Sequence, residues 1–284
     1  MSRNEERAYG NNANVPPMPQ EPQVAQQPPM PAPPVPAAAN SLNFVVPTEM
    51  VELPSKGEFY APGHPLHGVD SIEVKHMTAK EEDILTSTSL LKKGVALEKM
   101  LQSIIVNKRI KVADLLIGDK NALLIASRVF GYGALYPTKA LCPNCDATTT
   151  IDFDLNEIQN KELVSLESIV RTDKNTFVVV LSKSGFSVEF RLLTALDEDI
   201  MLDKKTGTMK LLKLITVSIN DQTDRFYIER ALQSLPILDA STLKKAYVAV
   251  MPDIDLTQDA TCSECGETSN MGVPLNADFF WPNI

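Results

Sequence analysis

The chain is poor in the residues on which most catalytic and redox sites are built. Its 284 residues include one Trp, three His and four Cys. All three histidines lie between His64 and His76, so neither a Ser-His-Asp nor a Cys-His triad is legible. There is no Gly-rich dinucleotide loop and no H-E-x-x-H segment, and Lys56-Gly57 reverses the order a phosphate loop requires. No apolar run approaches the roughly 18 residues of a membrane helix. The opening MSRNEERAYGNN has no apolar signal region, so no export and a reducing compartment are expected. Positive charge is also scarce. Lys plus Arg number 27 against 36 Asp plus Glu, a net charge of −9 that disfavours nucleic acid.

What is present divides the chain. Ten of the 20 prolines precede residue 40, and residues 1–43 form a Pro/Ala/Gln-rich arm with no apolar periodicity. Such a composition cannot offset its ordering entropy, so a disordered leader is expected. The first 40 residues hold two Arg and three Glu, which leaves −8 on the remainder. With 44 % hydrophobic residues overall, that remainder can bury a core. We expect an α+β fold: a first unit over 44–156, a linker and strand over 157–185, and a second unit over 186–284.

Local patterns fill in the units. Val51–Tyr60 is extended and turn-rich, and Ile72 and Val74 alternate as a strand. Thr78 and Glu81 read as a capping box for a helix starting near Ala79. Leu97, Leu101, Ile104 and Ile105 mark the apolar face of a second helix. Asp119 is placed as the cap of a third, Lys120–Phe130, which Gly131-Tyr132-Gly133 ends. Ile151, Phe153 and Leu155 alternate inward. Glu162–Arg171 reads as a helix-like linker, and Phe177–Leu181 with Phe186–Leu192 as a hairpin. Asp197-Glu198-Asp199 complements a helix dipole. Phe279-Phe280-Trp281 is placed as a terminal core plug. His64 and His67 fall in a Pro/Gly loop without nearby Cys and read as solvated.

Much of the first unit recurs. Thr78-Ala79 to Ile84 matches Thr194-Ala195 to Ile200 at an offset of 116. The offset becomes 120 for Leu115 and Leu235, Asp119 and Asp239, Cys142 and Cys262, and Cys145 and Cys265. A duplication is expected.

The two C-x-x-C pairs, Cys142/Cys145 and Cys262/Cys265, carry the strongest chemical signal. Each spacing lets both thiolates of a turn face one ion, and two such knuckles complete a four-cysteine shell for structural zinc. Each is followed by a strand, as in a zinc ribbon. The 116 residues between the pairs far exceed the usual ribbon spacing of about 15–20. A duplication accounts for that, with one knuckle ending each unit. A redox dithiol, disulfides and ordinary core cysteines are the competing readings; thioredoxin-type chemistry would place the pair ahead of a helix.

Several segments together resemble the T4-type bacteriophage baseplate protein family, which includes hub-assembly proteins of contractile-tailed phages. They are Leu53-Pro54-Ser55, Gly57 and Tyr60; Thr78, Glu81, Glu82 and Leu85; Gly118, Asp119, Arg128, Tyr132 and Gly133; and the first cysteine pair. The resemblance implies a non-enzymatic baseplate hub component, or a chaperone that builds the hub. Its implied partners are other hub or tape-measure proteins, met in the host cytoplasm during assembly or in the virion. No nucleic acid or membrane partner is expected. A zinc-ribbon adaptor of a phage nucleic-acid or transcription machine is the alternative. Asp146, Glu264 and Glu267 around the knuckles oppose it, because such ribbons are normally basic. Within the family-like turn, Leu53, Pro54, Phe59 and Tyr60 are candidate partner-binding residues, since loop aromatics often anchor interfaces.

Overall fold

Short hairpins and helices alternate, and among the described residues the largest sheet has four strands. The computed structural model describes residues 45–163, 167–201, 207–275 and 277–280. The expectation for the arm over 1–43, and Trp281, lie outside these residues. Strand β1 (Thr48–Glu52) pairs antiparallel with β2 (Ser71–Lys75), with Val51 opposite Ile72. Between them a loop is closed by the Leu53 amide on the Asp70 carbonyl, 2.7 Å. Gly57 sits at φ +71° in this loop, and a Cβ there would lie 2.4 Å from the Val69 backbone. That position therefore requires glycine.

Helix α1 (Ala79–Thr86) starts where the capping box places it. The bonding differs in detail: the Glu81 carboxylate accepts both the N–H and the hydroxyl of Thr78, at 3.0 and 2.6 Å. After α2 (Thr88–Lys92) comes α3 (Ala96–Ile104), whose buried face is Ala96, Met100, Leu101 and Ile104. Two residues expected on that face fall elsewhere. Leu97 is exposed, and Ile105 leaves the helix to bridge Val74. The long α4 (Ile117–Tyr132) stops at Gly133, φ +86°. Asp119 is its third residue and not its cap, because the helix begins three residues earlier than expected.

The first knuckle joins β3 (Leu135–Leu141) to β4 (Thr148–Asp154), with Ile151 and Phe153 buried. The helix-like reading of Glu162–Arg171 is wrong where the chain is described. The short β5 (Gln159–Asn160) precedes it, and Ile169–Arg171 is strand β6. Its Ile169 faces Val179 across a sheet whose pairing partners local periodicity does not encode. That sheet runs β6, β7 (Phe177–Val180), β8 (Ser187–Phe190), β9 (Thr216–Ile219), all antiparallel, with α5 (Ala195–Met201) and α6 (Thr208–Ile215) between the last two. Helices α7 (Arg225–Gln233) and α8 (Ile237–Val250) follow. The short β10 (Ile254–Asp255) pairs back onto β5, and β11 (Thr257–Thr261) with β12 (Thr268–Gly272) carries the second knuckle. The fold is thus α+β, built from small antiparallel sheets and, among the described residues, eight α-helices.

The halves use the same devices. The acid three residues into a helix recurs as Glu81, Asp119, Asp197 and Asp239. Thr194 donates its N–H and hydroxyl to Asp197, at 2.9 and 3.0 Å, as Thr78 does to Glu81. The turn before each second strand also recurs, at an offset of 128. Leu53 and Leu181 are fully buried, and Gly57 and Gly185 both have positive φ. The amides of Ser55 and Lys183 reach Asp119 and Asp239 respectively, at 3.0 and 3.1 Å.

Candidate metal centre

Each knuckle is shaped by the same two backbone bonds. In the first, the Cys142 amide donates to the Ala147 carbonyl and the Asp146 amide returns to the Cys142 carbonyl, at 2.9 and 3.0 Å. In the second, the Cys262 amide reaches Glu267 and the Gly266 amide reaches Cys262, at 3.0 and 2.9 Å. The residue after the second cysteine is left-handed in both, Asp146 at φ 57° and Gly266 at φ 73°. Asp tolerates this region better than most side chains, so the same turn forms with or without glycine.

The two hairpins face each other. Gln258 on β11 bonds both backbone groups of Asp154 on β4, and the hydroxyls of Thr149 and Ser263 meet. The knuckles thereby bring four sulfurs together, each within 4.8 Å of the others. Cys142 Sγ lies 3.9 Å from Cys265 Sγ, and Cys145 Sγ lies 3.8 Å from Cys262 Sγ. A disulfide requires about 2.05 Å, so these are free thiols. Ligands about 2.3 Å from a tetrahedral ion would stand about 3.8 Å apart, so the residues fit a metal with four thiolate ligands. Cys142 and Cys262 are buried, Cys145 and Cys265 exposed.

The sulfurs also shift one another's protonation. The amides of Cys145 and Asn144 draw the Cys142 thiol down to about 7. Cys145 is pushed up to about 12: burial and the three neighbouring sulfurs outweigh the Ala147 amide. Close sulfurs resist sharing several negative charges, and a bound dication relieves that repulsion.

The other candidate residues are placed differently. In the family-like turn, Leu53, Pro54 and Tyr60 are buried and Phe59 is half-buried. The Tyr60 hydroxyl donates to Asp119 Oδ2 at 2.6 Å and accepts the Leu116 amide at 3.0 Å. Phe59 lies under the Arg171 guanidinium, 4.5 Å from its ring, and against Phe177. Of the four candidate partner-binding residues, Leu53 and Tyr60 thus pack into the core, Pro54 is buried beside a surface cavity, and Phe59 is half-buried. The outer side of the turn, with Lys56 and Glu58, borders a cavity of about 350 Å³. His64 stacks on Tyr60, far in sequence and role from the cysteines.

Two residues of the family-like pattern, Asp119 and Arg128, are buried polar groups whose partners the sequence does not reveal. Asp119 collects Ser55 N–H, Ser55 Oγ and Tyr60 OH. Arg128, almost fully buried, donates to the carbonyls of Phe279, Gly133 and Leu135 and lies over the rings of Tyr132 and Tyr136. It fastens the terminal turn, where Phe279 and Phe280 are buried as expected. The available signal was a charged residue on the apolar face of α4, beside Leu124 and Ser127.

Among the described residues no helix is long and apolar enough to cross a membrane. The model of the family described as T4 bacteriophage base plate protein matches residues 46–281. No curated protein and no solved structure matches the chain. The family match spans nearly everything after the Pro-rich arm, and the chain belongs to this family of bacteriophage baseplate proteins.

Proposed function

We propose that this baseplate protein serves the tail hub, as an assembly factor or a hub component. It works through protein–protein contacts without catalysis, and a structural zinc is held by Cys142, Cys145, Cys262 and Cys265. The family match carries the baseplate reading. The closed four-sulfur cluster supports a structural metal, because a catalytic zinc keeps one position for water or substrate. Zinc suits four thiolates and brings no redox chemistry of its own. Its partners would be hub or tape-measure proteins, met in the host cytoplasm during assembly.

One purification tests both parts. Metal analysis of protein prepared without chelator should give one zinc per chain; metal-free folded protein would remove the cofactor. Tagged protein recovered from infected cells, before and after tail completion, should carry hub or tape-measure proteins. Recovery with polymerase subunits instead would favour the nucleic-acid adaptor.

A further inference from the structure

Two of the contacts between the halves differ in symmetry. At the knuckles the contact is reciprocal, with Cys142 facing Cys265 as Cys262 faces Cys145. The start of α4 behaves differently. Leu116 forms an antiparallel bridge with Thr194 of the second half. The Ile117 amide donates to the Leu193 carbonyl at 3.3 Å, and the Ala195 amide to the Leu115 carbonyl at 2.8 Å. Gly118 packs so closely on Pro252 that a Cβ would lie 2.0 Å from its carbonyl oxygen.

By the repeat offsets, the reciprocal contact would join Leu235-Pro236-Ile237 to Met77-Thr78-Ala79. Among the described residues it is absent: neither Ile237 N–H to Met77 O nor Ala79 N–H to Leu235 O forms. Exposure shows the same asymmetry. Ala195 is buried, while Thr78 and Ala79 are exposed. Ile117 is half-buried, while Ile237 is 90 % and Leu238 55 % exposed. Pro236 in the place of Leu116 costs no bridge bond, since the bridge uses the amide of the following residue and Leu116 N–H goes to Tyr60.

We infer that Leu235–Leu238 of one chain docks on Met77–Ala79 of a second copy of this chain, repeating between molecules the bridge that joins Leu115–Ile117 to Leu193–Ala195 within one. The occupant follows from the repeat. Each chain carries one unused copy of each side of a contact it already makes, and a second chain presents the matching side. Such a contact is heterologous, so it propagates head to tail, into a ring if its rotation closes and into a filament if it does not.

Two substitutions separate the sides without touching the cysteines. Ile237→Glu puts a charge at an exposed position. Ala79→Pro removes the donating amide at the first position of a helix, where proline is tolerated, after a residue already extended at φ −119°, ψ 176°. Sedimentation of the full metal-loaded chain should show concentration-dependent association. Either variant should weaken it by about 30-fold, as loss of an interface anchor does, with an unchanged melting curve for the monomer. Mixing the variants should restore a dimer, because each keeps the side the other has lost. If Ala79→Pro fails to fold, Ile237→Glu alone carries the comparison. A monomer at every concentration, association indifferent to Ile237→Glu, or folded variants that fail to complement would each overturn the inference.

Discussion

The first half of the chain seals the start of its long helix inside the protein, whereas the second half leaves Pro236 to Leu238, the equivalent start, exposed ahead of a buried Asp239. Both use an aspartate three residues into the helix to hold a preceding turn. Asp119 takes two hydroxyls and an amide in the core, whereas Asp239 takes the amides of Lys183 and Ser184 with the Ser184 side chain beside it. The hydroxyls come from Ser55 and Tyr60, within the family-like turn. The comparison teaches that the shared device is the amide-to-aspartate bond.

The largest expected effect tests whether the halves depend on one another at the knuckles. Cys262→Ser removes one of the four thiols of the proposed tetrahedral shell. Structural zinc contributes about 10–16 kcal/mol in finger peptides, comparable to the whole stability of a domain. Loss of metal from Cys262→Ser should therefore lower the melting temperature of both halves together, read by hydrogen exchange on α4 and α8. Destabilisation confined to β11 and β12 would show that the knuckles are local decorations.

Next in size is the aspartate pair. Asp119→Ala leaves three buried donors without an acceptor and should cost about 3–5 kcal/mol in denaturant unfolding. Asp239→Ala leaves two amides at a more open turn and should cost less. The pH dependence should have opposite signs. Burial pushes the Asp119 carboxyl up despite the bonds from Ser55 and Tyr60, so its folded form holds a proton more tightly than the unfolded chain. Its contribution is complete below the ordinary carboxylate value and is lost as pH rises through the raised one. Burial also pushes Asp239 up, but the bonds from Ser184 and Lys183 outweigh it and carry the group below its ordinary value. That contribution is present above the ordinary value and is lost as pH falls through the lowered one. Asp119→Asn should thus flatten the loss of stability on raising pH from the ordinary carboxylate range, and Asp239→Asn the loss on lowering it. The same sign for both would end the distinction.

The parts legible in the sequence were those carried by short-range spacing. C-x-x-C turns and the Thr-to-acid starts at Thr78 and Thr194 depend on residues close in the chain, and the offsets of 116 and 120 follow from matching such local motifs. The 128-residue match of the turns was hidden, because Leu53-Pro54-Ser55-Lys56-Gly57 and Leu181-Ser182-Lys183-Ser184-Gly185 share only Leu and Gly. What recurs there is backbone geometry. Asp119 read as a cap because an acid at a helix start is usually solvated; its partners lie 59 to 64 residues away. Strand β6 was misread for a similar reason, since its partner across the sheet decides its conformation and not its own composition. Tyr60 and Phe59 read as contact residues because a loop aromatic has the same sequence signature whether it faces a partner or a buried carboxylate.

The smallest expected difference lies between the two helix starts. Thr78 and Thr194 each donate twice to the acid three residues on, and loss of a cap of this kind costs about 1 kcal/mol. The acids are supported unequally. Asp197 is also held by a two-pronged bond from Arg191, at 2.7 and 2.8 Å, whereas Glu81 has the single Ser103 hydroxyl at 2.6 Å. When the threonine is removed, Arg191 keeps Asp197 oriented at the start of α5, while Glu81 is freer to swing away from α1. Thr78→Ala should therefore cost about 1 kcal/mol and Thr194→Ala about half of that, read as shifts in urea midpoint at unchanged slope. Adding Arg191→Ala to Thr194→Ala should then cost more than the two single changes summed, because each support covers for the other. Strict additivity would show that the Arg191 fork does nothing for the helix start, and the two capping sites would be equivalent after all.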